Sequence, residues 1–317
     1  MKVLIYGGGA VGLGIASCLL KSKAQVDIIT RQDTVKALRN KGLVRTGIFG
    51  GFSVDKNALA SFTDLNKISA RRYDYILVCT KSFDSAAAAK DLSEHKNLFD
   101  ENTKIVLFQN GWGNAEEFVP YFAKDLIYSA RVITGFTRAQ ANQVIITVHA
   151  DSIHIGSLFG FDTGCLDRLC TAISRGDIPC EKTADIEKDL WAKMLYNCAL
   201  NGLGAILNVP YGVLARYEST RKIMNGIVEE TFQVMAQAGY KSYWHRPDDF
   251  LHVFYGRLVP DTAKHKPSTL QDIAAGKRTE IDALNGAVIK LAEQHHLKVP
   301  YNSAVYNLVK FIEAGNH

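Results

Sequence analysis

A glycine-rich turn directly behind the first predicted strand constrains the fold of this 317-residue chain more than any other feature. Residues Lys2 to Tyr6 predict a short buried strand, and Ala10 to Lys21 predict a helix. Between them the chain reads GGGAVG from Gly7 to Gly12, which is the pattern G-x-G-x-x-G. In such a turn the first glycine permits a tight bend, the second lets the backbone approach a pyrophosphate, and the third allows close helix packing.

The context of this turn favours a bound dinucleotide. Gln25 to Thr30 predicts a second strand, so strand, turn, helix and strand form one βαβ unit of about thirty residues. The helix would direct its unbonded N–H groups and its positive end at the phosphates. The predicted cofactor contacts of the turn are Gly7, Gly8, Gly9, Ala10, Val11 and Gly12. The alternative is a glycine-rich turn that binds no ligand.

The residues at the end of the second strand favour NADP. An acidic side chain at this point binds the ribose 2′-hydroxyl of NAD, whereas a cation accommodates the 2′-phosphate of NADP. The strand ends in Thr30-Arg31, so we expect Arg31 to bind the 2′-phosphate. Two alternatives stay open: Arg31 is a plain surface residue, or Asp33, two residues further on, serves as an NAD-type acid.

The rest of the chain predicts an α/β domain followed by an all-α domain. Strands are expected at 73–80, 104–108, 126–134, 143–149 and around Ile153, and helices at 34–40, 85–92 and 165–174. This alternation indicates a parallel sheet with helices on both faces. From Asp185 onward only helical patterns remain, at 185–207, 219–238, 279–296 and 302–313. We therefore expect a Rossmann-like NADP-binding domain over 1–182 and an all-α domain over 183–317.

Two further strand ends carry polar side chains, and ligands bind at the carboxyl ends of strands in such sheets. Lys81 follows the strand at 73–80, and Asn110 follows the strand at 104–108. Lys81 can pair with a phosphate or a substrate carboxylate. Asn110 can form a hydrogen bond with the ribose, the nicotinamide or the substrate. Both residues can equally be solvated loop residues.

The helix predicted at 185–207 carries a polar stripe. Lys193, Asn197 and Asn201 follow one another at a spacing of four, so they stack along one face. Nearly every other residue of this helix is apolar, which is typical of a buried helix. Burying a lysine and two asparagines without partners is costly, so the stripe is predicted to face a wet cleft or a ligand. The alternative is a narrow face in contact with solvent.

Composition excludes several other classes of protein. Apolar residues make up 47% of the chain and charged residues 22%, which are ordinary globular values. The net charge of +5 comes from scattered lysines and arginines, so no nucleic-acid partner is expected. The six cysteines form no CxxC pair, no metal site is indicated, and no apolar run has the length of a membrane helix. We expect a cytoplasmic protein without a signal peptide.

Together with the glycine turn and the polar stripe, three more segments give the chain a resemblance to the ketopantoate reductases (2-dehydropantoate 2-reductases). These segments are CTKSF at 79–83, NGWGN at 110–114, and a late region with STLQD at 268–272, Glu280 and Asn285-Gly286. The resemblance covers essentially the full length. It implies a Rossmann domain and a helical domain with the active site in the cleft between them. It also implies NADPH-dependent reduction of 2-dehydropantoate to pantoate, a step of pantothenate biosynthesis.

The same resemblance assigns roles to individual residues. Lys193 would be the catalytic general acid at the ketone oxygen, where negative charge grows as hydride attacks the carbon. Glu280 would bind the substrate hydroxyl or the nicotinamide ribose and help to orient Lys193. The residues that would bind the substrate are Asn110, Asn197, Asn201 and Ser268, with Ser268 on the carboxylate. The residues that would bind the cofactor beyond the glycine turn are Arg31, Lys81 and Asn110.

Ser268 and Glu280 also have purely structural interpretations. Ser268 is a preferred N-cap residue with Gln271 three positions on, so it can cap a helix that starts near Thr269. Glu280 can be an acid in the first turn of the helix at 279–296. Neither interpretation excludes contact with a ligand.

Three departures from the family pattern bear on the substrate. They are Trp112 in the NGWGN loop, Gly202 where a proline is expected, and the aromatic stretch 241–266, which predicts an added helix. Three functions therefore stay open: pantoate formation, reduction of another 2-keto acid by a relative such as a branched-chain or aromatic 2-hydroxyacid dehydrogenase, and a silent NADP-binding sensor. A sensor needs neither Lys193 nor Glu280, which disfavours it. The expected partner is a small-molecule 2-keto acid, with no nucleic acid and no membrane, and a homodimer is compatible with the sequence.

Overall fold

The computed structural model of this chain describes residues 1–69 and 71–315. The strands in these ranges are β1 (Lys2–Tyr6), β2 (Gln25–Ile29), β3 (Leu43–Gly47), β4 (Phe52–Val54), β5 (Ala60–Phe62), β6 (Tyr75–Val78), β7 (Lys104–Leu107), β8 (Ile127–Arg131), β9 (Thr134–Gln140), β10 (Gln143–His149), β11 (Ile153–Gly156) and β12 (Cys180–Lys182). The α-helices are α1 (Ala10–Lys21), α2 (Gln32–Lys41), α3 (Ser85–Glu94), α4 (Asp167–Arg175), α5 (Ile186–Leu207), α6 (Tyr211–Leu214), α7 (Glu218–Gln237), α8 (Pro247–Val253), α9 (Val259–Asp261), α10 (Ser268–Ala274), α11 (Asn285–Gln294) and α12 (Pro300–Gly315).

The chain divides into two compact units. The first contains the residues up to Gln109 together with Asn114–Ile186, and the second contains Asn110–Gly113 and the chain from Glu187 onward. All of the described strands lie in the first unit, and the described part of the second is helical, so the predicted fold class is confirmed. The expected domain boundary between 182 and 183 stays a prediction.

The main sheet of the first unit has the order β12-β11-β8-β7-β6-β1-β2-β5. β1 pairs in parallel with β2 and with β6, and the parallel pairing continues through β7 to β8 and from β2 to β5. β11 runs antiparallel to β8, which the sequence patterns do not predict. Val3 and Ile5 of β1 join the apolar cluster that contains α1, whereas Leu4 joins the cluster that contains α3. Helices therefore cover both faces of the sheet, as expected of parallel strands.

A second sheet in the first unit, with the order β4-β3-β10-β9, is absent from the sequence predictions. The expected single strand over 126–134 is wrong, because β8 ends at Arg131 and β9 begins at Thr134 in this other sheet. The second sheet packs on α1. There Phe136 of β9 fills the space beside Gly14, where an added Cβ would lie 2.3 Å from the ring atom Cε1.

The second unit is built from α5 to α12. The helix expected over 279–296 is interrupted, because a 3₁₀ turn at Ile281–Ala283 precedes α11. The aromatic stretch 241–266 forms α8, a π-helical turn at Phe254–Leu258, and α9, in agreement with the added helix that its length predicts. No helix of the described ranges is both long and apolar enough to span a membrane.

A buried polar network joins three helices of this unit. The Glu230 carboxylate on α7 accepts hydrogen bonds from the backbone N–H groups of Tyr301 and Asn302, at 2.8 and 2.9 Å. It therefore caps α12, where a negative charge is favourable. The Asn302 side chain donates to Glu230 at 2.8 Å and accepts from Asn285 of α11 at 2.9 Å.

Candidate active site

The turn from Gly7 to Gly12 has the geometry that close approach of a ligand requires. Gly7 has a φ of +119°, a conformation that favours glycine, and an added Cβ on Gly12 would lie 1.9 Å from the carbonyl oxygen of Gly7. An added Cβ on Gly9 would have no described atom within 4 Å. Gly7 and Gly12 thus serve the packing of the chain itself, whereas the backbone at Gly9 is open to a ligand.

Helix α1 begins at this open backbone, so the unbonded N–H groups of its first turn lie next to Gly9. Gly9 is the N-cap residue, no side chain caps the helix, and Ala10 and Val11 begin it. The first turn contains no acidic residue. N-terminal N–H groups and the positive end of a helix dipole bind phosphate, so the turn fits the pyrophosphate of a dinucleotide.

The end of β2 borders the glycine turn. An added Cβ on Gly8 would lie 2.2 Å from Oγ1 of Thr30, so the Thr30 side chain lies directly against the turn. Arg31 follows as the exposed N-cap residue of α2, and Asp33 is an exposed acid in the first turn of that helix. The strand end therefore presents one cation and one carboxylate beside the turn that would hold the dinucleotide.

Lys81 lies in the loop after β6. Hydrogen bonds from Gln109 connect this loop to the loop after β7. The Nε2 atom of Gln109 donates to the carbonyl oxygen of Lys81 at 3.2 Å and to Oγ of Ser85 at 2.8 Å. Gln109 is buried, and Lys81 is half-buried. The sequence analysis missed Gln109, although its place directly before Asn110 is a signal for a positioning role.

Asn110 joins Lys193 and Glu280 in the second unit. Nζ of Lys193 donates to Oδ1 of Asn110 at 2.6 Å, and Nδ2 of Asn110 donates to the Glu280 carboxylate at 3.3 Å. The amide is therefore polarised, with its oxygen on an ammonium group and its nitrogen on a carboxylate. Glu280 is 7% exposed, so its charge acts where water screens it little. The structure thus brings together three of the residues that the sequence analysis singled out.

The polar stripe of α5 differs in burial along its length. Lys193 and Asn197 are half-buried, while Asn201 is 3% exposed. Oδ1 of Asn201 accepts a hydrogen bond from the Tyr211 hydroxyl, at 2.5 Å. The side-chain amide of Asn197 forms no hydrogen bond with a group of the described ranges. The stripe therefore carries one residue with an internal partner and one whose amide groups are not used by the described chain.

The structural interpretations of Ser268 and Glu280 are wrong. Ser268 is the first residue of α10, the N-cap is Pro267, and no side-chain cap forms. Glu280 lies outside the first turn of α11, which begins at Asn285. The hydroxyl of the half-buried Ser268 makes no hydrogen bond with the described residues, so no such bond joins it to Lys193.

Trp112 packs in an aromatic cluster that holds the NGWGN loop. Its ring centroid lies 4.7 Å from that of Trp191 on α5 and 4.7 Å from that of Tyr240, and its backbone N–H donates to the carbonyl oxygen of Ala283 at 2.9 Å. Trp112 is 8% exposed. The sequence analysis missed Trp191 and Tyr240 as its partners, and the loop position that carries Asn110 depends on this packing.

The described residues contain no group of three or more His, Cys, Asp or Glu side chains that could hold a metal ion. The features that can carry chemistry are the dinucleotide turn and the hydrogen-bonded side chains of Lys193, Asn110 and Glu280. A glycine turn of this kind in an α/β unit is typical of a nicotinamide-dependent oxidoreductase.

Two family models narrow this class. The model described as ketopantoate reductase PanE/ApbA matches residues 3–160, and the model described as ketopantoate reductase PanE/ApbA C terminal matches residues 185–313. The chain belongs to the ketopantoate reductase family. It is accordingly an oxidoreductase that acts on a CH–OH group, and ketopantoate reductases use NADPH.

Individual relatives agree with this assignment. The chain is 34% identical to the 2-dehydropantoate 2-reductase of Aquifex aeolicus over 317 residues, which cover 100% of this chain and 98% of that protein. The crystal structure of a PanE/ApbA family ketopantoate reductase from Ralstonia eutropha is 29% identical, with a TM-score of 0.86 and coverage of 100% and 99%. A D-mandelate dehydrogenase, solved with NADH and anilino(oxo)acetate, shares the fold at 22% identity, with a TM-score of 0.86 and coverage of 100% and 99%.

Proposed function

We propose that this protein reduces 2-dehydropantoate to pantoate with NADPH, and that Lys193 is the general acid. The observation that carries the proposal is the hydrogen-bonded arrangement of Lys193, Asn110 and Glu280. A silent sensor has no use for a lysine held at 2.6 Å by a polarised amide. Membership of the ketopantoate reductase family supports the substrate.

The first unit would hold the cofactor. Gly7 to Gly12 and the start of α1 would bind the pyrophosphate, Arg31 would bind the 2′-phosphate, and Lys81 would contact the cofactor from the loop after β6. Asn110 would contribute as well. When bound, NADPH supplies the hydride that adds to the ketone carbon.

Lys193 would hold the proton that the ketone oxygen takes up. An ammonium group beside this oxygen stabilises the charge that develops there, and a positioned general acid accelerates such steps by about 10²- to 10⁴-fold. Asn110 restrains Nζ of Lys193, and Glu280 restrains the Asn110 amide. The three side chains together would orient one proton donor.

Three residues would bind the substrate besides Asn110. Ser268 would donate its hydroxyl to the substrate carboxylate, and Asn197 would bind through its amide. Asn201 would donate through its Nδ2 group, while its Oδ1 accepts from Tyr211. These assignments follow from the family resemblance and from the side-chain chemistry, because neutral donors bind a carboxylate well.

Another 2-keto acid is the second candidate substrate. The aromatic cluster of Trp112, Trp191 and Tyr240 begins two residues from Asn110, and a D-mandelate dehydrogenase shares the fold. By shaping the loop that carries Asn110, this cluster would alter which 2-keto acid fits there, and an aromatic or branched-chain acid is the alternative.

A steady-state screen of 2-keto acids with NADPH and with NADH tests the proposal. We expect the highest kcat/KM for 2-dehydropantoate with NADPH. A higher kcat/KM for an aromatic or branched-chain 2-keto acid would replace the first candidate by the second. No turnover of any 2-keto acid would favour the sensor.

The cytoplasmic location, the homodimer and the domain boundary after residue 182 stay predictions. Cell fractionation tests the location, and sedimentation equilibrium tests the assembly. Limited proteolysis tests the boundary, because linkers between domains are cleaved first.

A further inference from the structure

Arg138 on β9 is attached to the first turn of α2. Its Nη2 donates to Oγ1 of Thr34 and to the carbonyl oxygen of Ala141, the latter at 3.2 Å, and its Nε donates to the carbonyl oxygen of Gln140 at 3.3 Å. Thr34 follows Arg31 by three residues, which is about one helical turn. The guanidinium of Arg138 is therefore fixed within a turn of the residue expected to bind the 2′-phosphate.

The face of β9 that carries Arg138 is the face that packs on the dinucleotide-binding helices. Phe136, two residues earlier, points the same way because strand side chains alternate. Its ring occupies the space beside Gly14 of α1. Phe136 thus anchors the strand on α1, and Arg138 extends from the same face to α2.

Arg31 and Arg138 are like charges close enough to repel each other, and the single carboxylate of Asp33 offsets only part of this charge. Neither side chain forms an ion pair with a carboxylate of the described ranges. The pKa of Arg138 is lowered, first by partial desolvation and then by the charge of Arg31, and the carboxylate of Asp33 acts in the opposite direction. Arginine side chains in proteins nevertheless carry their charge at neutral pH. An anion bound between them would relieve their repulsion.

We propose that Arg138 is a second ligand of the NADPH 2′-phosphate and that, together with Arg31, it selects NADPH over NADH. This inference rests on the proposed function, in which Arg31 binds that phosphate. A phosphate monoester carries a charge of about −1.5 to −2 at neutral pH, which two arginines match. Nη1 of Arg138 forms no hydrogen bond with the described chain, so its N–H groups can donate to phosphate oxygens.

Dissociation constants of NADPH and NADH, measured by fluorescence titration, test this inference. Arg138→Ala is expected to raise the NADPH constant about 10- to 100-fold, because hydrogen bonds between charged groups are lost. The NADH constant is expected to stay near that of the wild type. Lys41→Ala is the matched control, because it removes the same charge from the exposed far end of α2 and is expected to change neither constant.

Arg138→Gln removes the charge but keeps a polar donor and much of the aliphatic stem on β9. Selective loss of NADPH affinity in both Arg138 variants supports the inference. An equal loss for NADPH and NADH in both variants would show a structural role and overturn it. If Arg31→Ala weakens NADPH selectively while Arg138→Ala does not, this inference fails and the proposed cofactor stands. Equal affinity of the wild type for NADPH and NADH would overturn both.

Discussion

Asn110 connects Lys193 to Glu280, so its replacement tests whether the lysine must be positioned. Asn110→Ala removes the 2.6 Å hydrogen bond from Lys193 and the 3.3 Å hydrogen bond to Glu280. A hydrogen bond to a charged group contributes about 1.5–3 kcal/mol, and about 1.4 kcal/mol corresponds to a tenfold change in rate. The longer bond adds little, because hydrogen bonds weaken with distance. We therefore expect kcat to fall about 10- to 100-fold.

A second substitution at the same position separates the two bonds. Asn110→Asp keeps an acceptor for Lys193 but places a carboxylate against Glu280, so kcat should fall here too. Adding Glu280→Gln restores a hydrogen bond between the two positions. In the double variant the amide of residue 280 donates and the carboxylate of residue 110 accepts, which reverses the wild-type direction. Residues in direct contact are energetically coupled, so the double variant should turn over faster than Asn110→Asp alone.

The assay is steady-state turnover of 2-dehydropantoate at saturating NADPH, with the thermal unfolding midpoint of each variant as the control for folding. A kcat for Asn110→Ala close to that of the wild type would refute the reasoning. So would a double variant that is no faster than the single Asn110→Asp variant.

Four further substitutions test the turn and the helical unit. Gly9→Ala should keep the thermal midpoint and weaken NADPH and NADH alike, whereas Gly12→Ala should lower the midpoint, because its Cβ would collide with the backbone of Gly7. Equal midpoints for these two variants in calorimetry would contradict this. Glu230→Ala should lower the free energy of unfolding in urea by about 3 kcal/mol, because buried N–H donors lose their acceptor, and an unchanged value would be evidence against the network. Partial burial would raise the pKa of Asp282, but its hydrogen bonds and neighbouring cations lower it below the usual 3.8. Ionised Asp282 therefore stabilises the fold above pH 3.8, and this stabilisation is lost as the pH falls through the lowered pKa of the folded protein. Asp282→Asn should make the free energy of unfolding less dependent on pH in this acid range. An unaltered acid unfolding transition would contradict this.

The parts of the fold that local sequence dictates are the parts that the sequence predicts. The predicted bounds of β1 and α1 agree with the structure, because an apolar run, a glycine turn and a helical pattern follow one another without interruption. β4 and β5 have three residues each, and their pairing depends on distant strands, so no local period indicates them. The sequence also does not predict the 3₁₀ turn at Ile281–Ala283 before α11, because the apolar pattern of the helix continues through these residues.

The candidate site shows the same limit. Helix geometry alone predicts that Lys193 and Asn197 share a face of α5, because a spacing of four is one turn. The contact between Lys193 and Asn110 spans 83 positions, and spacing cannot indicate it. The resemblance to ketopantoate reductases named both residues, but not Trp191, which packs on Trp112 in the loop that carries Asn110. That contact becomes visible only when the chain is folded.

Turnover by Lys193→Ala tests the central claim most directly. With 2-dehydropantoate and NADPH, kcat should fall by about 10²- to 10⁴-fold, because the general acid is lost. The dissociation constant of NADPH should stay nearly that of the wild type, and Lys290→Ala, an exposed lysine of α11, should behave as the wild type. A Lys193→Ala variant that keeps turnover within about tenfold of the wild type would contradict the account.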